Sequence, residues 1–563
     1  MAKAEASVQE LVGMIERGEL RLPEMQRQFV WRSTRVRDLL DSLYRGYPSG
    51  AILLWETDED VPLQDMAVSQ EKNPYKSTRL LLDGQQRLTS LSSVIRGEPV
   101  NVRGRKRPID ILFNLEHPDQ LQGFTEVEEE AEEDESQADE VDASDDELNN
   151  RLNKMTFIVS TTKLESNPNW VKVSEVFKSA SNTEFLKRAG VVSFDDPKAD
   201  RYSQRLDKLR NIKNYVYRMD VLERTLSYDE VTEIFVRVNS LGSKLRGSDL
   251  ALAQITAKWK NSLQTFLDFQ IECQKSGFDI EIGVLLRSLV VIATGQCRFK
   301  TIGSVSLNNL KDSWKAACEG THFALNFLRS NTGIDNEVLL SSPYLIVALS
   351  YFGHTRNYQI GPEESKQLRY WVLTANAKGR FSRGSSESLL DQDISTIKNG
   401  GSVNDLLDRL RLQFGHLEIT HDELEGRNQR SSLFKTMFLA FKDAGATDWN
   451  SHLEISLDHA GMQHRLQYHH IFPKAVLSKS GYTPREADDI SNLAFIGGKT
   501  NRVISDKQPK DYFVELIQKN GTDCFSKQEI PLEETLLITD SYKEFLKIRR
   551  QKIVSKINEF LMK

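Results

Sequence analysis

A multidomain α+β architecture is what this sequence predicts. Its 563 residues suffice for about three or four domains at roughly 100–200 residues each. Apolar runs of strand length and runs of helical period alternate through the first part, and the pattern becomes helical from Ser248 to Leu412. The last part sets a strand, a second strand and a helix in succession. The expected domains are therefore residues 1–247, interrupted by an unfolded acidic insert at 126–147, a helical connecting domain at 248–412, and a third domain at 413–563.

The net charge of −7 hides an uneven distribution. Residues 126–147 carry 14 Asp and Glu and no Lys or Arg, too polar a window to fold. The rest then holds 74 Lys and Arg against 67 Asp and Glu, a balance of +7 that permits a polyanionic partner. The four cysteines, Cys273, Cys297, Cys318 and Cys524, form no CxxC pair, so neither a disulfide framework nor a cysteine zinc site is expected. No apolar run reaches the roughly 18–20 residues of a membrane span, and Glu5 and Glu10 stand where a signal peptide would need an apolar core. The expected compartment is a reducing cytoplasm, with no membrane partner.

Ser7 and Glu10 open a helix as a capping box, and Val8, Leu11, Val12 and Ile15 continue it to Gly18. LRLPEMQRQFVW is extended. It reads either as a loop packed by Phe29 and Trp31, or as the Gln26 amide and Arg27 guanidinium offered to a phosphate or base. Val36, Leu39, Leu40 and Leu43 mark an amphipathic helix ending at Gly46, and GYPSG leads into the strand Ala51–Trp55. Arg79–Leu82 is a second strand, followed by a tight turn at Asp83–Gly84 and a helix from Gln85. Backbone N–H groups at a helix start attract anions. Gly84 permits close approach, Gln85, Gln86 and Arg87 add donors, and the Arg87 fork suits a phosphate. Asp83 either caps the helix or holds the Mg²⁺ of a nucleotide. An ordinary capped helix fits the same residues.

Ile109–Leu115 is a further strand; Leu206–Tyr217 is expected to be helical and Met219–Leu226 extended. Tyr228–Val238 is helical and leads to a turn in NSLGSKL at Asn239 and Gly242. Arg237, Asn239 and Lys244 there are either a helix cap or a second wall of the polar pocket. Helices follow at Leu285–Ile292, Trp314–Leu328, Leu339–Phe352, Gln367–Ala377 and Val403–Leu412. Arg369, Trp371 and Arg380–Arg383 read as helix faces or as nucleic-acid contacts.

Near the end, RLQYHHIFPKAVL (Arg465–Leu477) sets two adjacent histidines on a strand, with a helix at Lys474–Lys479. Neighbours on a strand point to opposite faces, though twist at a strand end can turn both to one site. Two imidazoles can serve as a metal ligand and a base near neutral pH. A strand at Leu493–Ile496, a turn at Gly497–Gly498 and a helix near Thr500 complete the unit, with Asn492 and Asn501 bracketing the second strand.

This last segment resembles the HNH, or His-Me finger, nucleases. HHIFP stands where they carry D/E-H-I-x-P, and Asn492 and Asn501 match their central and terminal residues. The resemblance implies a ββα-metal fold in which His470 is the general base and Asn492 braces the catalytic loop. It further implies that His469 and Asn501 hold one divalent metal, Mg²⁺ or Mn²⁺. His469 departs from the acid of many relatives, which weakens the preference for Mg²⁺. Upstream, PEMQRQFVW, GYPSGAILLW, LLDGQQRLTSL and IFVRVNSLGSKL resemble, in order, the first domain of GmrSD-type modification-dependent (type IV) restriction enzymes, with a ParB/sulfiredoxin-like core. That resemblance implies binding and hydrolysis of a nucleoside triphosphate, GTP or ATP, at Asp83, Gly84, Gln85, Gln86 and Arg87. Gln26, Arg27, Arg237 and Asn239 would line the pocket or touch DNA. The expected whole is a bacterial NTP-regulated endonuclease cutting phage DNA with modified bases or backbone, for which a homodimer is a compatible state. The alternative expectation is a nucleotide-gated DNA-binding regulator with an inactive nuclease domain.

Overall fold

The computed structural model describes residues 2–563 except 27–30, 67, 71–77, 103–106, 119–153, 192, 194, 242–245, 383 and 460–464. The acidic insert, Arg27, Phe29, Gly242, Lys244 and Arg383 therefore lie outside the described residues, as does the side chain of Asn239. The chain forms two compact units, Met1–Leu263 and Gln264–Lys563.

The first unit is built on a six-stranded mixed sheet. Its strands are β1 (Ala2–Ser7), β2 (Leu20–Pro23), β3 (Ile52–Thr57), β4 (Leu63–Gln64), β5 (Thr78–Asp83) and β9 (Val216–Leu222), in the order β1-β9-β3-β5-β2-β4. A separate antiparallel sheet of β6 (Ile111–Asn114), β7 (Phe157–Val159) and β8 (Trp170–Lys172) runs β7-β6-β8. Successive strand residues face opposite sides. Ile52 and Leu54 of β3 and Leu81 of β5 thus enter one core with Leu11, Leu40 and Leu88, whereas Leu53, Trp55, Leu80 and Leu82 enter a second with Met25 and Phe235. Both faces of the central strands are buried, which is why AILLW and RLLL read as continuous apolar runs.

Helices α1 (Val8–Glu16), α2 (Ser33–Tyr44) and α3 (Gln85–Ile95) match the predicted periodicities, and the Ser7–Glu10 capping box is formed. Two expectations need correction. The helix placed at Leu206–Tyr217 spans Pro197–Arg210, with one 3₁₀ turn to Asn214. Tyr217 belongs instead to β9, because Val216–Leu222 is claimed by pairing with β1 on one side and β3 on the other. The helix expected to stop at Val238 continues to Leu241.

The second unit is mostly helical. Arg380 is not a surface residue: it is buried in a two-bond ion pair with Asp393 at 2.5 and 2.6 Å and donates to Gln413. Trp371 is likewise core, and Arg369 donates to the carbonyls of Asn331 and Phe560. Toward the end of the chain, β10 (Leu466–His470) pairs antiparallel with β11 (Leu493–Gly497), His469 opposite Ala494 and His470 opposite Leu493. The helix Gly498–Ile504 follows at once. The glycine turn expected at Gly497–Gly498 is not formed. Gly497 is extended, at φ −75° and ψ 154°, and serves as the helix N-cap. The buried Asp448 carboxylate does the work a turn would do: it accepts from Gly497 N at 2.6 Å and from Thr500 Oγ1 at 2.8 Å. Trp449, Ile471, Phe472, Ile496, Tyr512, Phe513 and Phe545 form the core beneath.

Among the described residues, no helix is long and apolar enough to cross a membrane.

Candidate functional site

In the first unit, β5 passes into α3 through Gly84, whose φ of 100° and ψ of 4° lie in the left-handed region that favours glycine. A Cβ there would run into Ile52 Cδ1. Gln26 donates from Nε2 to the carbonyls of Leu81, at 3.3 Å, and Leu82, while Gln86 Oε1 accepts from Trp31 N at 3.2 Å. Gln85 and Gln86 are buried, and the Asp83 side chain is about half exposed. Arg87 turns inward. Its Nη1 donates to Ser49 O at 2.5 Å, and its Nη2 donates to Ala51 O at 2.8 Å and Asp83 Oδ2 at 3.0 Å. Its guanidinium carbon stands 5.8 Å from the centre of the Tyr217 ring, and Tyr217 OH accepts from Ser49 Oγ. The fork thus fastens α3 to the segment before β3 and engages one oxygen of Asp83; Gly84 is buried, and the Asp83 carboxylate is the more exposed of the two.

Gln26, Asp83, Gly84, Gln85, Gln86 and Arg87 are therefore brought together. Arg237 is placed on the exposed side of its helix, paired with Glu233 at 2.7 Å. Asn239 is on the same helix.

In the second unit, strand alternation separates the two histidines. His469 is buried: its Nδ1 lies 2.9 Å from Asn501 Oδ1, and its ring is nearly perpendicular to those of Trp449 and Tyr512, each 5.8 Å away. Burial pushes its imidazole down to about 4, and the hydrogen bond to Asn501 recovers part of that shift. It is neutral at pH 7. Asn501 Nδ2 donates to Gln467 Oε1 at 2.8 Å, which turns Oδ1 toward His469. Gln467 and His469 share a strand face at i and i+2.

His470 faces the other way. Its Nε2 is 2.8 Å from Asp488 Oδ1, and Lys474 Nζ reaches the two Asp488 oxygens at 3.0 and 3.1 Å. Burial alone would raise the Asp488 carboxyl, but the hydrogen bonds from His470 and Lys474 outweigh it and hold it low. Asn492, wholly buried, makes three bonds: Oδ1 accepts from Phe472 N at 2.9 Å, and Nδ2 donates to Phe472 O at 3.0 Å and Ala487 O at 2.9 Å. It ties the exit of β10 to the segment carrying Asp488.

Whether His469 and Asn501 suit a divalent cation can be judged from their donor atoms. A neutral imidazole has a lone pair without losing a proton. In the hydrogen bond to Asn501 the proton sits on Nδ1, because the amide oxygen only accepts, and the lone pair is on the buried Nε2. A cation at Nδ1 and Oδ1 would take the place of that bond, with the imidazole proton moved to Nε2. Among the described residues no three His, Cys, Asp or Glu converge, so a cation here would keep water or phosphate oxygens as its other ligands. The residues fit the group on those terms.

Sequence reasoning missed Gln467, Asp488, Lys474 and Asp448. The i, i+2 relation to His469 was a usable signal for Gln467. The contact between His470 and Asp488 spans 18 positions broken by the short helices Lys474–Lys479 and Pro484–Ala487, and no single periodicity encodes it.

One unit thus holds a glycine-led helix start on a mixed sheet, and the other an imidazole–amide pair beside a second imidazole on a carboxylate. Residues 8–256 match the family GmrSD restriction endonuclease, N-terminal domain, which supports the GmrSD family for this part of the chain. A restriction endonuclease family implies a nuclease with DNA as substrate. The chain is also 23% identical over 558 residues to the Uncharacterized protein MJ0686 of Methanocaldococcus jannaschii, covering 92% of this chain and 88% of that protein.

Proposed function

We propose that the protein is a divalent-metal-dependent DNA endonuclease of the HNH type, directed at modified foreign DNA and governed by a nucleoside triphosphate. The observation that carries the reading is the strand–strand–helix unit in which His469 Nδ1 and Asn501 Oδ1 stand 2.9 Å apart, with His470 adjacent on the strand. In this reading His470 takes a proton from water at Nδ1, since its Nε2 is engaged by Asp488. The water oxygen attacks a DNA phosphorus, and the P–O bond to the departing sugar oxygen breaks. Asn492 holds the strand exit so that His470 keeps its aim. A divalent metal held by His469 and Asn501 would supply charge stabilisation at the phosphate oxygens, which requires the phosphate to reach round the end of β10, since His469 and His470 face opposite sides of the strand.

In the first unit, the half-exposed Asp83 carboxylate, beside the helix start at Gly84, is the group proposed to meet a triphosphate through its Mg²⁺, and Arg87 sets the loop in place. GTP and ATP both satisfy this chemistry. Nucleotide turnover would license cutting, since an ungoverned nuclease endangers its own host genome.

The test is digestion of a panel of differently modified DNAs with Mg²⁺ or Mn²⁺, with and without each triphosphate. His470→Ala should cut at least about 10²-fold more slowly while still binding DNA. Equal cutting by wild type and His470→Ala, or cutting that persists in EDTA, would sink the proposal.

A further inference from the structure

We propose that Asp488 is a positioning residue for His470, fixing its ring and tautomer so that Nδ1 faces the attacking water. The inference rests on the nuclease reading above and adds a residue to it.

The geometry is that of a built pair. His470 Nε2 lies 2.8 Å from Asp488 Oδ1, both side chains are mostly covered, and Lys474 Nζ bridges both carboxylate oxygens. An ionised carboxylate only accepts hydrogen bonds. Held ionised by Lys474, Asp488 requires the hydrogen of a neutral His470 to sit on Nε2, which leaves the lone pair on Nδ1. The same logic orients the histidine of serine hydrolases, where loss of the carboxylate leaves the wrong tautomer.

Both members are also anchored independently of each other. Asp488 closes the short helix Pro484–Ala487, donating its N–H to Pro484 O at 3.0 Å. Asn492 bridges Ala487 and Phe472, so the residue before Asp488 and the second residue after His470 are bound to one amide. Its neighbours on the strand are set apart from this contact: the Tyr468 ring centre is 6.1 Å from that of His470, and His469 turns to the opposite face.

Asp488→Ala in the full-length protein tests this, with steady-state cutting and ¹⁵N-histidine spectra as the two readouts. The His470 signal is assigned by its loss in His470→Gln. The expected result is a drop in kcat between the roughly 10-fold typical of partners that orient a metal-bound imidazole and the roughly 10⁴-fold lost when the serine-hydrolase carboxylate is replaced. KM for DNA and the melting temperature should stay unchanged, and added formate should restore part of the rate. The wild-type His470 signal should show the Nε2–H tautomer, and Asp488→Ala should lose that preference. An unchanged kcat in Asp488→Ala, or an Nδ1–H tautomer in the wild type, overturns the inference. Should the wild type cut no DNA with Mg²⁺ or Mn²⁺, the nuclease reading falls, while the tautomer spectrum still decides whether Asp488 sets His470.

Discussion

Asn492 shows how much of the centre depends on one amide. All three of its hydrogen bonds go to backbone groups in a dry interior, and alanine would leave Phe472 N, Phe472 O and Ala487 O without it. Asn492→Ala is expected to cost about 2–4 kcal/mol, read as a lower urea midpoint with unchanged slope. Asp448 makes a parallel case with a charge. Burial would raise its carboxyl, but the N–H groups of Gly497 and Ser451 and the hydroxyls of Ser451 and Thr500 hold it below the ordinary range. The stability it contributes is present above the unfolded value of about 3.9 and is lost as pH falls through the lower folded value. Asp448→Asn should be less stable at neutral pH, yet the gap from wild type should narrow below about pH 4 in denaturant titrations. A gap constant with pH would show that the carboxylate charge is irrelevant to holding the helix start.

At the level of elements, the link between β5 and α3 turns on Gly84. Gly84→Ala forces a side chain into left-handed backbone and against Ile52, and should destabilise the first unit by roughly 1–3 kcal/mol. If the triphosphate reading is right, affinity measured by calorimetry should fall as well. This element was legible in advance, because an apolar strand, Asp-Gly and a helical period all point to one local solution. So was the succession of β10, β11 and their helix. The passage between β11 and the helix was not, since the signal for a turn, two glycines, is also the signal for close approach. Only the distant Asp448, 49 residues before Gly497, decides between them. Arg87 has partners that no local pattern encodes: a guanidinium at a helix start suits a phosphate, and in the structure it donates to the carbonyls of Ser49 and Ala51. The extended run read from the sequence, Met219–Leu226, lies a few residues past strand β9, because the partners that set β9, β1 and β3, are 209 to 219 and 167 residues earlier in the register.

Across the whole molecule, the two compact units have separate cores, so one two-state transition is not expected. Leu81 and Ile496 are both fully buried, one in each unit. Leu81→Ala and Ile496→Ala should each cost about 2–5 kcal/mol. In scanning calorimetry each should lower a different transition and leave the other in place. A single transition shifted by both would show that the units unfold together. The mild excess of basic residues outside the acidic insert was legible from composition alone, whereas the expectation of DNA as a partner came only from motifs.

The register of β10 on β11 decides which histidine stands where. Because alternate residues face opposite sides, sliding the strand by a single position one way brings His469 out toward Asp488, and sliding it the other way turns His470 into the interior. Either slip keeps an imidazole in one of the two places and hands the other to a neighbour, Tyr468 or Ile471. Two adjacent histidines therefore admit a single pairing that fills both places, and the pleat of one short strand is what selects it.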